Sequence, residues 1–116
     1  MLVREIRDIL DAEILEPGRG LDVEVRSACG SDMMSDVLAY VKDQSALLTG
    51  LVNPQVVRTA EMMDMACIVF VRGKHPDAEV LRLAREKGIA LLSTKHRMFN
   101  ACGLLYAGGL HGKSGK

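Results

Sequence analysis

Tryptophan is absent from this chain, and only two tyrosines and two phenylalanines occur among its 116 residues. Aromatic platforms on which bases or sugars could stack are therefore scarce, and seven methionines must fill much of the interior that larger rings would otherwise occupy. Net charge is missing as well. Fifteen lysines and arginines balance fifteen acidic residues, so no global field draws in nucleic acid or an anionic membrane. No uncharged apolar run approaches the roughly 20 residues that a membrane-spanning helix needs, and the N-terminus MLVREIRDIL mixes charges into the stretch where a signal peptide would be apolar. A cytoplasmic chain without nucleic-acid or membrane partners is expected. Its three cysteines, Cys29, Cys67 and Cys102, are odd in number, widely spaced and set among apolar neighbours. That pattern reads as reduced, packed thiols rather than as a disulfide framework or a zinc site.

Catalytic and metal-binding patterns are also lacking. His75, His96 and His111 share no ligand spacing, and no Ser/His/Asp or Cys/His arrangement can be assembled. The tail GGLHGKS imitates a phosphate-binding loop, but the required glycine five positions before Gly112 is Ala107. Such a loop must also join a buried strand to a helix, and only two residues follow Ser114 in this sequence. No enzymatic activity, metal or cofactor is expected.

What is present is a repeated alternation of strand and helix. Residues 45–94 read as strand, helix, strand, helix, strand, with turns at Thr49-Gly50, Arg72-Gly73-Lys74 and Ser93-Thr94. Short apolar runs separated by amphipathic segments too long for hairpins are the signature of successive βαβ units. A length of 116 residues suits one domain. The expected fold is a three-layer α/β domain spanning residues 1–108, with a mostly parallel sheet of about five strands and an antiparallel or edge component from the first fifth of the chain. A flexible basic tail is expected over 109–116.

In chain order, Leu2, Val3, Ile6, Ile9 and Leu10 form the apolar face of a first helix. Ala12 to Glu16 suits a brief strand before the turn Pro17-Gly18-Arg19-Gly20. Leu21 to Ala28 alternates, as a half-exposed edge strand does, with Val23 and Val25 on one face. Ser31 or Asp32 can cap a helix that ends near Lys42-Asp43. Ala46-Leu47-Leu48 suits a strand buried on both faces, and Asn53-Pro54 opens the next helix. Cys67 to Val71 is the strongest strand signal and belongs at the sheet's centre. His75-Pro76 precedes a helix with Asp77 and Glu79 early and Arg82, Arg85 and Lys87 late, as the helix dipole favours, stopped by Gly88. Ile89 to Leu92 is the next strand. Thr94 is expected to cap a final helix facing inward at Met98, Phe99, Cys102 and Leu105, closed by Gly108-Gly109.

The segments LLTGLVNPQVV, ACIVFVRGK and LAREKGIALLSTKHRMF, within residues 45–105, resemble the DRTGG domain family. Similar domains form the N-terminal part of HPr kinase/phosphorylase and occur in CBS-domain pyrophosphatases and some phosphotransacetylases. Where the family pattern has Asp-Arg after the glycine, this chain has Leu51-Val52-Asn53. In place of Thr-Gly-Gly it has Val71-Arg72-Gly73 or Arg72-Gly73-Lys74. The resemblance implies a non-catalytic regulatory domain that associates with copies of itself.

Two functional expectations follow. In an open parallel sheet the turns at the carboxyl ends of the strands gather on one edge, where helix N-termini offer amides and a positive dipole. This would assemble Gly30, Ser31 and Asp32 with Thr49, Gly50 and Asn53, with Arg72, Gly73 and Lys74, and with Ser93, Thr94, Lys95 and His96. Glycines, hydroxyls and three cations suit a small anionic ligand, a nucleotide or a phosphorylated metabolite. The same turns also need such residues merely to cap helices. The second expectation is a ligand-free homodimer or scaffold acting on a partner enzyme such as a kinase or redox system, its contact made by the Val23/Val25 strand and adaptable methionines. Met62, Met63 and Met65 read more simply as core filling.

Overall fold

The computed structural model describes residues 1–40 and 44–112. Helix α1 (Val3–Leu10) is followed by strands β1 (Glu13–Glu16) and β2 (Ser27–Gly30). Helix α2 (Met34–Tyr40), β3 (Ser45–Thr49), α3 (Pro54–Met62), β4 (Cys67–Phe70), α4 (Ala78–Lys87), β5 (Ala90–Ser93) and α5 (Met98–Ala107) complete the domain. The expected end of α2 near Lys42-Asp43 and the last residues of the GKS tail lie outside the described residues.

The sheet order is β1-β5-β4-β3-β2. Strands β2 to β5 run parallel, while β1 runs antiparallel along β5, pairing Glu13 with Ser93 and Ile14 with Leu92 before a register shift at Glu16. The expected three-layer α/β architecture is present, with a mixed sheet. Each inner strand sends alternate residues to opposite faces, and both faces are covered. Ala46, Leu48, Cys67, Val69, Ala90 and Leu92 meet α1 and α5 through Ile6, Leu10, Ala101 and Leu105. Leu47, Ile68, Phe70 and Leu91 meet Val37 of α2, Val56 and Ala60 of α3, and Val80 and Ala84 of α4. Burial on both sides is why these strands read as continuous apolar runs rather than alternating ones. β4 sits in the middle of the sheet, where the sequence placed it.

Several local expectations are corrected. Of the expected edge strand Leu21–Ala28 only Ser27 and Ala28 join the sheet, as the start of edge strand β2, and the part from Leu21 to Val25 does not. It lies against the N-terminus, where the Val3 and Arg4 amides donate to the Val23 and Leu21 carbonyls at 3.1 and 2.9 Å and the Val25 amide donates to the Met1 carbonyl at 2.7 Å. Val25 is fully buried and Val23 packs on the same core, so neither offers an edge for self-association. The outer strand is the shorter β2, whose Ala28 amide donates to the His111 carbonyl. With Leu110 buried, residues 110–112 are tied to the domain rather than free of it. Met62 is 72% exposed and fills no core, whereas Met65 is buried. On α5, Phe99 points outward at 86% exposure instead of inward. Thr94 does not cap that helix, because its N-cap residue is Arg97. The Thr94 hydroxyl instead donates to the Leu10 carbonyl at 2.8 Å, fastening α1 to the end of β5.

Candidate functional site

The registers bring the strand ends level. Gly30 pairs with Leu48, Thr49 with Phe70 and Phe70 with Ser93, so the four turns that follow β2 to β5 lie side by side along one edge. They are bonded into two knots. In the first, the Asp32 carboxylate accepts from the Thr49 hydroxyl at 3.0 Å and from the Gly50 amide at 2.7 Å, and the Thr49 hydroxyl oxygen accepts from the Leu51 amide. Ser31 accepts from the Met33 amide at 2.9 Å, immediately before α2. The Gly50 amide bond, the Thr49 hydroxyl and the nearby Arg72 and Lys74 charges hold the Asp32 carboxyl below its usual range, with the Gly50 bond contributing most.

The second knot joins β4 to β5. The Arg72 and Gly73 amides donate to the His96 and Thr94 carbonyls, each at 2.8 Å, and the Ser93 hydroxyl donates to the Lys74 carbonyl at 2.8 Å. Arg72 and Gly73 both have positive φ, 61° and 67°, and the Lys74 amide closes the turn onto the Val71 carbonyl. This is a reversed turn of the kind glycine favours, yet its first central position carries arginine, a strained placement. The conformation lays the Arg72 guanidinium over Gly50, where any side chain would collide with it. Glycine at position 50 thus lets the two knots touch. Gly30 serves packing instead, since a Cβ there would stand 2.7 Å from the Cys102 sulfur. Asn53 occupies the N-cap of α3 without a side-chain capping bond.

Beside the second knot a recess of about 390 Å³ opens between Asp11 and Glu13 on one side and Gly73, Ser93, Lys95 and His96 on the other. Asp11, Glu13 and His75 were not expected here. His75 follows the β4 turn, whereas Asp11 and Glu13 arrive because β1 runs antiparallel and so begins at the edge where the other strands end, a direction with no signature in the sequence. His75 bridges the Gly73 carbonyl and the Glu13 carboxylate, each at 3.0 Å, and Glu13 raises its pKa above the ordinary imidazole value. Among the described residues the side chains of Arg72, Lys74 and Lys95 make no ion pair. The recess therefore sets Lys95 against the carboxylates of Asp11 and Glu13, with Arg72 and Lys74 in the adjoining turn. No group of three or more His, Cys, Asp or Glu among the described residues is placed to hold a metal ion.

A larger recess of about 600 Å³ lies at the opposite edge, lined by Arg19, Arg26 and Lys87 against Glu61 and Asp64. Lys87 is already paired with Glu61 at 3.1 Å. The carboxyl ends of α3 and α4 point there, and their dipoles disfavour an anion.

These features define a small α/β domain with a mixed sheet, and no helix among the described residues is long and apolar enough to cross a membrane. Its family model is the DRTGG domain, matched over residues 5–107, and the chain belongs to that family. Among solved structures it is similar to the CBS and DRTGG domains of the regulatory region of Clostridium perfringens pyrophosphatase, complexed with the activator diadenosine tetraphosphate. That match has a TM-score of 0.71 at 16% identity and covers 89% of this chain but only 45% of the other. The likeness therefore concerns the fold, and this chain spans less than half of that regulatory region. A search of curated proteins returned no match.

Proposed function

We propose that this chain is a cytoplasmic, non-catalytic regulatory domain that binds a small phosphorylated ligand, of the nucleotide class, at the carboxyl edge of its sheet. The observation that carries this is the open Gly73 turn and its recess, lined by Lys95, with Arg72 and Lys74 on either side of Gly73 in the chain and none of the three cations ion-paired among the described residues. Arginine and lysine supply the charge-assisted bonds that phosphate oxygens require. Asp11 and Glu13 across the recess suit the hydroxyl donors of a ribose, which an inorganic phosphate lacks. Asp32 already takes the Gly50 amide, so the ligand's phosphate belongs at the Gly73 turn, beside Lys74 and Lys95, rather than against the Thr49–Gly50 backbone. The pyrophosphatase regulatory region, of which this chain covers 45%, was solved with a dinucleotide polyphosphate, which motivates the choice of ligand class.

The test is a thermal-shift screen with nucleotides, diadenosine polyphosphates, sugar phosphates and inorganic phosphate. A ligand at a hundred times its dissociation constant adds about 2.7 kcal/mol, a rise in melting temperature on the order of 10 °C for a domain of this size. The double substitution Arg72→Ala, Lys74→Ala is expected to erase the shift while leaving the fold intact, since both side chains are exposed. Unchanged affinity in that variant would place the ligand elsewhere.

A further inference from the structure

His75 joins two parts of the chain that the sheet keeps apart. Its Nδ1 lies 3.0 Å from the Gly73 carbonyl oxygen, in the turn after β4, and its Nε2 lies 3.0 Å from the Glu13 carboxylate, at the start of β1. β4 and β1 are not neighbours, because β5 runs between them. One imidazole therefore spans the end of β5 and ties the turn on one side of it to the strand on the other. The same ring lines the recess that opens there.

Both partners are acceptors only. A carbonyl oxygen and a carboxylate have no proton to give, whereas a neutral imidazole carries a single N–H. The neutral ring can satisfy one partner and must turn a lone pair toward the other at 3.0 Å. Only the imidazolium, with a donor on each nitrogen, makes both bonds. The bridge is thus the geometry of the protonated ring.

We propose that His75 is a proton-operated clasp: charged, it fastens the Gly73 turn to β1 across the end of β5, and uncharged it keeps Glu13 and lets the turn go. The order of release follows from bond strength. A bond to a carboxylate is roughly twice as strong as one between neutral groups, so the one remaining proton stays at Nε2. The turn set free is held against its preference, since Arg72 sits within it at a φ of 61°. Its other ties persist, the Arg72 and Gly73 amides on the His96 and Thr94 carbonyls. The change is therefore confined to the Gly73 carbonyl, the ring and the mouth of the recess.

The charged groups about the ring set the direction of its titration. Glu13 faces it from β1, with Asp11 beside it on the recess wall, and Lys95 and His96 line the same recess from the segment between β5 and α5. Lys74 precedes it in the chain, and Asp77 follows with its carboxylate engaged by the Val80 amide. The bond to Glu13, then that to the Gly73 carbonyl, raise the pKa of His75 above the ordinary imidazole value. With the folded pKa above the unfolded one, the clasp is complete below about pH 6.5 and is lost as pH rises through the folded value. On the nucleotide reading, which this step rests on, the clasp regulates that same site. The imidazolium sets a positive charge against Glu13 in the recess, so a bound polyphosphate favours the protonated state and its binding takes up protons.

NMR of the histidine rings and backbone amides, followed on the ligand-free chain from about pH 5 to about pH 9, tests the clasp. His75 is expected to titrate above the ordinary imidazole value, and the Gly73 and Lys74 amides to shift with the same midpoint. In Glu13→Gln the His75 midpoint should fall back toward the ordinary value. In His75→Gln, whose fold should be intact because the side chain is exposed, the turn amides should lose that midpoint. A His75 midpoint at or below the ordinary value, or turn amides indifferent to it, overturns the clasp. Calorimetry with ATP at about pH 6 and about pH 8 separates the two readings. Relative to His75→Gln, the wild type should gain several-fold in affinity at the lower pH, and an equal pH dependence in the two proteins overturns regulation of the ligand by this proton. Absence of ATP binding at either pH overturns the nucleotide site, while the ligand-free midpoints still decide the clasp.

Discussion

The Asp32 carboxylate accepts from the Thr49 hydroxyl and the Gly50 amide, and both bonds favour its ionised form. Because its folded pKa is lowered, the stability it contributes is fully present above its unfolded value of about 3.9 and is lost as pH falls through the lower folded one. Asp32→Ala should therefore cost about 1 kcal/mol near neutrality, the worth of charge-assisted bonds discounted for the exposure of the side chain. Asp32→Asn retains an acceptor and should recover much of that loss, while flattening the acid limb of a urea-denaturation series. It also removes a negative charge beside Arg72 and Lys74, so the affinity for a phosphorylated ligand should rise if that site is used. The thiols can be tested by reagent titration. Burial pushes Cys67 up to about 12 and raises Cys29 and Cys102 above their ordinary value. Since the thiolate is the reactive form, Ellman's reagent at neutral pH should label none of them rapidly. Cys67 should respond only when urea unfolds the chain.

Among the elements, α3 holds a polar group without a partner. The Thr59 hydroxyl oxygen is buried and makes no hydrogen bond among the described residues. Thr59→Val keeps the shape and removes the unmet demand, so it should stabilise the domain by about 1 kcal/mol, read as a higher urea midpoint at unchanged slope. The strands β3, β4 and β5 were legible in the sequence because burial on both faces leaves an uninterrupted apolar run, and the Gly88 stop and the acidic-to-basic order of α4 marked that helix. Asp77, expected within the first turn, is in fact its N-cap, accepting from the Val80 amide at 3.2 Å. The Leu21–Val25 segment shows where periodicity misleads. Alternation reports only that one side of an extended chain is covered, and here the cover comes from the chain's own first residues and the adjoining core rather than from a neighbouring strand in the sheet. Phe99 misleads for a related reason. An apolar residue at helical spacing does not by itself say that the core covers it, and Phe99 is 86% exposed.

For the whole molecule, the gathering of the turns after β2 to β5 on one edge could be read in advance, because parallel strands joined by crossover helices must end on the same side. The antiparallel course of β1 could not. A strand of four residues carries no mark of its direction, and that direction alone delivers Asp11 and Glu13 to the recess. The edge thereby combines cations and carboxylates within a chain whose total charge is zero. A neutral molecule exerts little long-range attraction, so capture of an anionic ligand should depend on the short-range field of Arg72, Lys74 and Lys95 at an exposed, water-filled edge. Such a field is screened over about 10 Å at 0.1 M salt and about 3 Å at 1 M. Binding of a nucleotide polyphosphate, followed by calorimetry, should therefore weaken several-fold between these salt concentrations. Ligands lacking phosphate should change little, because their contacts at Asp11 and Glu13 are hydrogen bonds rather than a balance of net charge. Equal salt sensitivity for a nucleoside and its polyphosphate would mean that the three cations are not what the ligand meets.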